Sequence, residues 1–367
     1  MHTIRNDITK VKEINVELIK SALKGLGTAT KAQIAEATEI SVATCGKILN
    51  ELCESGEVME AAVTSGGYGR PAKSYVYNGN YSLIACVYVA SDRGKVTLSS
   101  MVCNLLGEVQ EESTREIERA TYDVLEDTIR RLTEKHAKLR VASIGIPGYI
   151  TNDVIGLCNF VDLMGLPLRS MLQEKFPDIK ILVENDMNAA AYGFYQNNCG
   201  GRDTTIAFIY SPIDAQTGLE QMLREDPTMP VSEEQRTLIN LSINFGAGFV
   251  SGGHILRGFS GFAGEVSFLP VVRSKEIDPV DASVESMSHI IGSIVPVLNP
   301  EIVALTGGYF DKKTVEEIRA RCLRLIAPQH MPQIILRANI HEEYVSGLLN
   351  LALEELSCGV MLVKRKA

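Results

Sequence analysis

The sequence lacks the features that mark membrane and secreted proteins. Its 367 residues contain no run of about 18 consecutive apolar residues, so we expect no transmembrane helix. The opening Met-His-Thr-Ile-Arg-Asn-Asp lacks the apolar stretch of a secretory signal peptide. The 8 cysteines are scattered, with no C-x-x-C or C-x-C pair, which argues against a disulfide framework and a zinc knuckle. We therefore expect reduced thiols and a cytoplasmic protein.

The sequence also lacks an excess of positive charge. The net charge is −9, and it is unevenly distributed. Residues 1–80 carry 9 basic and 9 acidic residues, whereas the remainder carries 27 basic and 36 acidic residues. An acidic body does not attract nucleic acid, so any contact with DNA is expected within residues 1–80.

The N-terminal segment shows the pattern of three helices separated by short turns. Apolar residues at helical spacing between Ile14 and Leu23 predict the first helix. Thr30 followed by Gln33 is a capping box for the second helix, and Ser41 is placed to cap the third. Helix, short turn and helix at this spacing predict a helix-turn-helix.

The third helix and the loop that follows it are the predicted DNA-contacting parts. Two strands, Glu57–Ala61 and Ser74–Tyr77, flank a glycine-rich wing that contains Arg70. An arginine there is placed to enter a minor groove. The alternative is a small helical docking domain with a solvated hairpin. The winged helix-turn-helix is favoured, and its predicted DNA-binding residues are Ser41, Val42, Ala43, Thr44, Lys47 and Arg70.

In the rest of the chain, strands alternate with helices, and one strand-to-helix junction stands out. Residues 181–183 favour a buried strand, and residues 189–191 favour a helix. Glu184, Asn185, Asp186 and Asn188 therefore fall where an open α/β sheet binds ligands. Asp186 could accept a proton from a polyol hydroxyl. The alternative is that Asp186 and Asn188 only cap the helix.

Several spaced motifs resemble the ROK family of repressors, open reading frames and sugar kinases, over essentially the whole chain. The strongest is E-N-D-M-N-A-A-A at 184–191, followed by L-R-G-F-S-G-F-A-G-E at 256–265. G-I-P-G at 145–148, N-F-V-D-L-M-G-L-P-L-R at 159–169, T-G-G at 306–308 and the wing G-R-P-A at 69–72 also fit.

The resemblance implies an α/β fold. An N-terminal winged helix-turn-helix (1–80) would precede a two-lobed actin- and hexokinase-like, ribonuclease H-like domain (81–367). It implies that a sugar is held between the lobes by Asn159, Asn185, Asp186 and Glu265. In kinase members the residue matching Asp186 is the general base, and an N-terminal winged helix-turn-helix marks the repressor branch.

The sequence departs from the family pattern in its phosphate-binding loops and in its zinc-binding motif. Asp92-Arg93-Gly94-Lys95-Val96 is a degraded copy of the family's D-x-G-G-T loop. The second phosphate loop is missing: Thr204–Tyr210 runs into a polar insertion at about 211–236, and Ser242-Ile243-Asn244 is no better match. Phe268 stands where a sugar- and zinc-binding histidine is usual, and no cysteine lies between 199 and 322. We therefore expect neither ATP nor zinc as a cofactor.

The leading hypothesis is a transcriptional repressor that senses a saccharide or sugar phosphate without phosphorylating it. The N-terminal segment lacks a basic cluster, so we expect each subunit to bind DNA with modest affinity. A homodimer or homotetramer that reads two half-sites would compensate for this. The first alternative is an active ATP-dependent sugar kinase with an appended DNA-binding domain. The second is a constitutive DNA-binding protein with a vestigial cleft.

Overall fold

The structure is a computed structural model that describes residues 2–61, 73–92, 95–211, 245–269, 279–307 and 310–357. Arg70 and the rest of the predicted wing loop lie outside the described residues. So do most of the predicted insertion and the alternative phosphate loop at 242–244. Among the helices described, none is long and apolar enough to cross a membrane.

The N-terminal segment consists of three helices and a small antiparallel sheet. The elements are α1 (His2–Leu26), β1 (Thr28–Thr30), α2 (Lys31–Thr38), α3 (Val42–Ser55), β2 (Val58–Ala61) and β3 (Ser74–Tyr77). The strands pair in the order β1-β3-β2. The capping box of Thr30 and Gln33 opens α2, and the Ser41 hydroxyl accepts a hydrogen bond from the Thr44 amide, 3.1 Å, to open α3. Strand β1 was not predicted.

The first lobe that follows is built on a five-stranded sheet. Its elements are β4 (Leu83–Asp92), β5 (Lys95–Asn104), β6 (Val109–Ile117), α4 (Tyr122–Lys135), β7 (Leu139–Ile146), α5 (Leu168–Lys175), β10 (Lys180–Asn185) and α6 (Asp186–Cys199). A hairpin, β8 (Gly148–Thr151) and β9 (Val154–Cys158), projects between β7 and α5. The sheet order is β6-β5-β4-β7-β10; β4, β7 and β10 are parallel, and β5 is antiparallel to both neighbours.

The second lobe repeats this arrangement. Its elements are β11 (Thr205–Ser211), β12 (Gly246–Ser251), β13 (His254–Ile255), α7 (Pro279–Leu298), β14 (Ile302–Gly307), α8 (Lys312–Cys322), β15 (Gln333–Arg337) and α9 (His341–Leu356). The sheet order β13-β12-β11-β14-β15 has the same strand directions as the first lobe. The two equivalent helices, α6 and α9, pack against each other and join the lobes.

The crossing of α6 and α9 is unusually close because each helix has a glycine there. A Cβ atom added to Gly193 would lie 1.9 Å from the Glu343 carbonyl oxygen. One added to Gly347 would lie 1.8 Å from the Ala189 carbonyl oxygen. Only glycine permits this approach of two helix backbones.

From the sequence we expect a strand over Leu106–Glu111, and its start is wrong. Strand β6 begins only at Val109, because the preceding residues form a turn in which Gly107 has a φ of +80°. The Asn104 side-chain oxygen accepts hydrogen bonds from the amides of Leu106 (2.9 Å) and Glu108 (3.0 Å), which fixes the turn. A side chain that bonds to its own turn competes with strand pairing, and the apolar Leu106 masked this in the sequence.

Candidate functional site

The junction of β10 and α6 places Asn185 and Asp186 at the carboxyl end of a parallel strand. Asn185 is the N-cap of α6, since its side-chain oxygen accepts a hydrogen bond from the Asn188 amide, 2.9 Å. Its Nδ2 donates to the Gly148 carbonyl oxygen (3.0 Å) and to Asp186 Oδ1 (3.1 Å). Asn185 is thus the N-cap, but Asp186 Oδ1 also accepts a hydrogen bond from the Met187 amide in the first turn of α6, 2.8 Å. Asp186 therefore contributes to the helix start, and the role of its carboxylate in ligand binding stays a prediction.

Glu265 reaches the same place from the second lobe. It follows Gly264, which has a φ of +104° and whose Cβ, if present, would lie 2.1 Å from the Ala247 carbonyl oxygen. Burial raises the pKa of Glu265 to about 7, and the nearby charge of Asp186 adds to this effect. Burial likewise raises the pKa of Asp186 to about 7, against the lowering effect of its hydrogen bonds. Two predicted carboxylates, one from each lobe, therefore lie close enough for the charge of Asp186 to affect Glu265, and both have a pKa raised to about 7.

Asn159 is a chain neighbour of a residue close to this cluster, and its own contact with a ligand stays a prediction. It directly follows Cys158, whose thiol is close enough to Asp186 for the aspartate charge to contribute to its raised pKa, after burial. Cys158 pairs with Gly148, the residue that binds Asn185. The Asn159 side chain is exposed, and the described residues show no hydrogen bond from it.

Arg257 is a contact of the site that sequence reasoning missed. Its Nε and Nη2 donate to Glu184 Oε2 at 3.0 and 2.5 Å, while Glu184 Oε1 accepts from Asn188 Nδ2 at 3.0 Å. Glu184 is 8% exposed, so the second lobe supplies the counter-charge of a buried carboxylate on the first. Arg257 lies in the motif at 256–265, but its partner is 73 residues away in the chain and could not be named from the sequence.

Tyr344 of α9 lies beneath the carboxylates and was also missed. Its hydroxyl is buried and has no hydrogen-bond partner among the described residues. A Cβ atom added to Gly145 would lie 2.0 Å from this hydroxyl, so the glycine makes room for it. Burial raises the pKa of Tyr344 well above its usual value, and the charges of Asp186 and Glu184 add to this. Helix α9 therefore brings a buried hydroxyl close enough to the site for the charges of its carboxylates to act on it.

The predicted recognition helix presents part of its surface to solvent. Ser41, Val42, Ala43 and Lys47 are exposed and Thr44 is half-buried, whereas Ile48 and Leu49 pack into the core. Asn50, one turn beyond Lys47, is exposed as well and was not predicted. Contact of these residues with DNA stays a prediction, as does that of Arg70.

A long stretch of sequence joins β11 to β12, where the family has its second phosphate loop. Tyr210 pairs with Gly246 at the end of the β11–β12 hairpin, although residues 211–245 lie between them in the chain. The loop itself lies outside the described residues, as do residues 93 and 94 of the first phosphate loop. Within the described ranges, no group of three or more His, Cys, Asp or Glu residues is arranged to hold a metal ion.

Comparison with known proteins supports the resemblance. Residues 88–215 match the ROK family. A putative xylose repressor of Caldicellulosiruptor sp. (strain Rt8B.4) is 23% identical over 272 residues, which cover 71% of this chain and 59% of that protein. The chain thus spans about three fifths of the length of the curated relatives it matches.

Solved structures show the same fold. A ROK family transcriptional regulator, a homologue of the E. coli MLC protein, superposes with a TM-score of 0.62 at 17% identity. The match covers 94% of this chain and 99% of that one. The ROK hexokinase of Thermus thermophilus superposes with a TM-score of 0.54 at 15% identity, covering 76% of this chain and all of the hexokinase (100%).

Proposed function

We propose that this chain, which carries a ROK family domain, is a transcriptional repressor controlled by a saccharide. The N-terminal helices bind operator DNA, and the cleft between the lobes binds the effector, a saccharide or sugar phosphate. The observation that carries the proposal is that Asp186 of the first lobe lies close enough to Glu265 of the second for its charge to raise the pKa of Glu265, in a chain whose N-terminal helices present Lys47 to solvent. The curated relatives named xylose repressors support it.

The residues of the cleft suit a polyol. The two carboxylates and the remaining lone pair of the Asn185 side-chain oxygen can accept hydrogen bonds from several hydroxyls. A ligand held by Asp186 on one lobe and Glu265 on the other stabilises the arrangement in which the lobes are close. Such a ligand alters DNA binding because its affinity differs between the arrangement in which the lobes are close and the one in which they are apart.

We further propose that the protein forms a homodimer or homotetramer and uses neither ATP nor zinc. Phosphoryl transfer depends on backbone donors and metal ions that position the phosphates. The sequence has only a degraded first phosphate loop, and a long connection replaces the second. An active sugar kinase is the second candidate, favoured by Asp186, whose raised pKa suits a general base near neutral pH.

A thermal-shift measurement tests these proposals. The full chain is heated with saccharides and sugar phosphates, each with and without Mg-ATP. A ligand at 100 times its dissociation constant adds about 2.7 kcal/mol of stability. We expect stabilisation by at least one saccharide, no effect of Mg-ATP, and loss of the saccharide effect in Asp186→Asn. Stabilisation by Mg-ATP together with ATP turnover would favour the kinase. If no saccharide or sugar phosphate stabilised the protein, the proposal of a saccharide sensor would be refuted.

A further inference from the structure

We propose that three aromatic side chains at the mouth of the cleft form a subsite for the second ring of a disaccharide or glycoside. These residues are Tyr149, Phe262 and Phe268, called here the aromatic strip. The inference rests on the proposed function and deepens it, because it names the class of saccharide that the cleft accepts.

The strip is continuous and crosses between the lobes. The ring centroids of Tyr149 and Phe262 are 5.5 Å apart with the planes at 74°, and those of Phe262 and Phe268 are 5.0 Å apart at 59°. Both spacings are those of aromatic rings in contact. Tyr149 lies on β8 of the first lobe, whereas the two phenylalanines belong to the second lobe.

The backbone is shaped to hold the strip together. Gly261 has a φ of +74°, and a Cβ there would lie 2.1 Å from the Ile150 carbonyl oxygen. A Cβ on Gly156 would lie 2.0 Å from the Tyr149 ring. The Thr151 hydroxyl donates to the Ser260 carbonyl oxygen, which fastens the β8–β9 hairpin to the loop of the second lobe.

The strip is nevertheless open to solvent. Phe262 is 40% exposed and Phe268 is 43% exposed. Adjoining exposed aromatic rings form an apolar patch, and a patch of this kind at the rim of a polar cleft marks a ligand-binding surface.

The occupant is a saccharide because the strip adjoins the polar groups of the cleft. Tyr149 follows Gly148, whose carbonyl oxygen accepts from Asn185 Nδ2 at 3.0 Å. The amide of Glu265 donates to the Phe262 carbonyl oxygen at 3.3 Å, and the amide of Phe268 donates to the Glu265 carbonyl oxygen at 3.1 Å. A pyranose has the complementary character, with hydroxyls at its edge and C–H groups on its face.

The extent of the strip distinguishes a larger ligand from a monosaccharide. A sugar ring whose hydroxyls are held by Asn185, Asp186 and Glu265 fills the polar end of the cleft. Three adjoining aromatic rings then remain for a second ring. Phe268 has no hydrogen-bonding group, so this end of the site favours the apolar face of a ligand and does not stabilise an additional hydroxyl.

The test is calorimetric titration of the full chain with matched ligands. The probes are xylose and glucose, the disaccharides xylobiose and cellobiose, and the phenyl β-glycosides of xylose and glucose. For at least one sugar, we expect the disaccharide or phenyl glycoside to bind about tenfold or more tighter than the monosaccharide. Comparison of the disaccharide with the phenyl glycoside shows whether the strip prefers a second sugar ring or another apolar ring.

The variants locate the effect. Phe262→Ala is expected to remove the advantage of the larger ligand and to leave monosaccharide affinity nearly unchanged. Phe262→Leu keeps an apolar side chain without the ring and serves if the alanine variant fails to fold. Phe259→Ala is the matched control, because Phe259 is a fully exposed phenylalanine of the same loop.

The outcomes separate this inference from the proposed function. Equal affinity for monosaccharides and larger ligands, or an equal loss of affinity for all ligands in Phe262→Ala and Phe262→Leu, would refute the aromatic subsite and leave the proposed sensor function intact. Absence of binding to every saccharide overturns both.

Discussion

Gly193→Ala is the substitution that most directly tests the close crossing of α6 and α9. Both the wild-type and the mutant residue are compatible with a helix, and alanine is favoured over glycine there by about 1 kcal/mol. On propensity alone, the variant should be more stable than the wild type.

The structure predicts the opposite sign. The added Cβ would lie 1.9 Å from the Glu343 carbonyl oxygen and 2.7 Å from the Gly347 amide nitrogen, both of them backbone atoms that cannot rotate away. An ordinary contact begins near 3.4 Å, so the helices must separate by about 1.5 Å. Overpacking of this kind costs about 1–3 kcal/mol or more, so we expect a net loss of stability.

Gly292→Ala is the matched control. Gly292 also lies within a helix, α7, but an added Cβ would meet only Leu325 Cδ1, at an ordinary 3.7 Å. We expect this variant to raise the unfolding temperature and Gly193→Ala to lower it, with unfolding followed by circular dichroism. If Gly193→Ala were as stable as Gly292→Ala, the description of the crossing would be refuted.

Three further predictions concern charge. Burial raises the pKa of Asp186 and Glu265, so the unfolded chain releases these protons first as the pH rises from about 4 to 7, and the folded state loses stability over that range. Asp186→Asn should therefore raise the unfolding temperature more at pH 8 than at pH 4; an equal effect at both would contradict the raised pKa. Arg257→Ala leaves the buried carboxylate of its partner unpaired and should cost about 1–3 kcal/mol, less than for a fully buried pair because the arginine is half exposed; an unchanged denaturation midpoint would argue against the bridge. Lys47→Ala should weaken DNA binding and reduce its salt slope by about one, whereas Lys95→Ala, the same charge change in the first lobe, should not.

Local signals were sufficient for the helix starts of the N-terminal segment and for the β10–α6 junction. A capping box such as Thr30 with Gln33 depends on residues three apart, and a strand followed by an alanine-rich helix is visible in a short window. These features are predictable because their energetics are local.

The remaining features depend on contacts between distant residues. The bridge from Arg257 to Glu184 joins residues 73 apart, and the close packing of Gly193 on Gly347 joins two helices of different lobes. The three-residue strand β1 exists because β3 pairs with it. None of these leaves a periodic pattern in the sequence. The family resemblance identified the carboxylates of the cleft. The raised pKa of each, however, results from burial, which is visible only in the folded chain.

The central claim is that a saccharide in the cleft controls DNA binding, and its most direct test is the linkage between the two ligands. Duplexes selected from genomic fragments by the wild-type protein are titrated with and without a saccharide that stabilises it. We expect the saccharide to change the DNA dissociation constant by about 5- to 150-fold in the wild type. Asp186→Asn should bind the same duplex equally well and ignore the saccharide. A saccharide effect that persists in Asp186→Asn, or none in the wild type, would contradict the account.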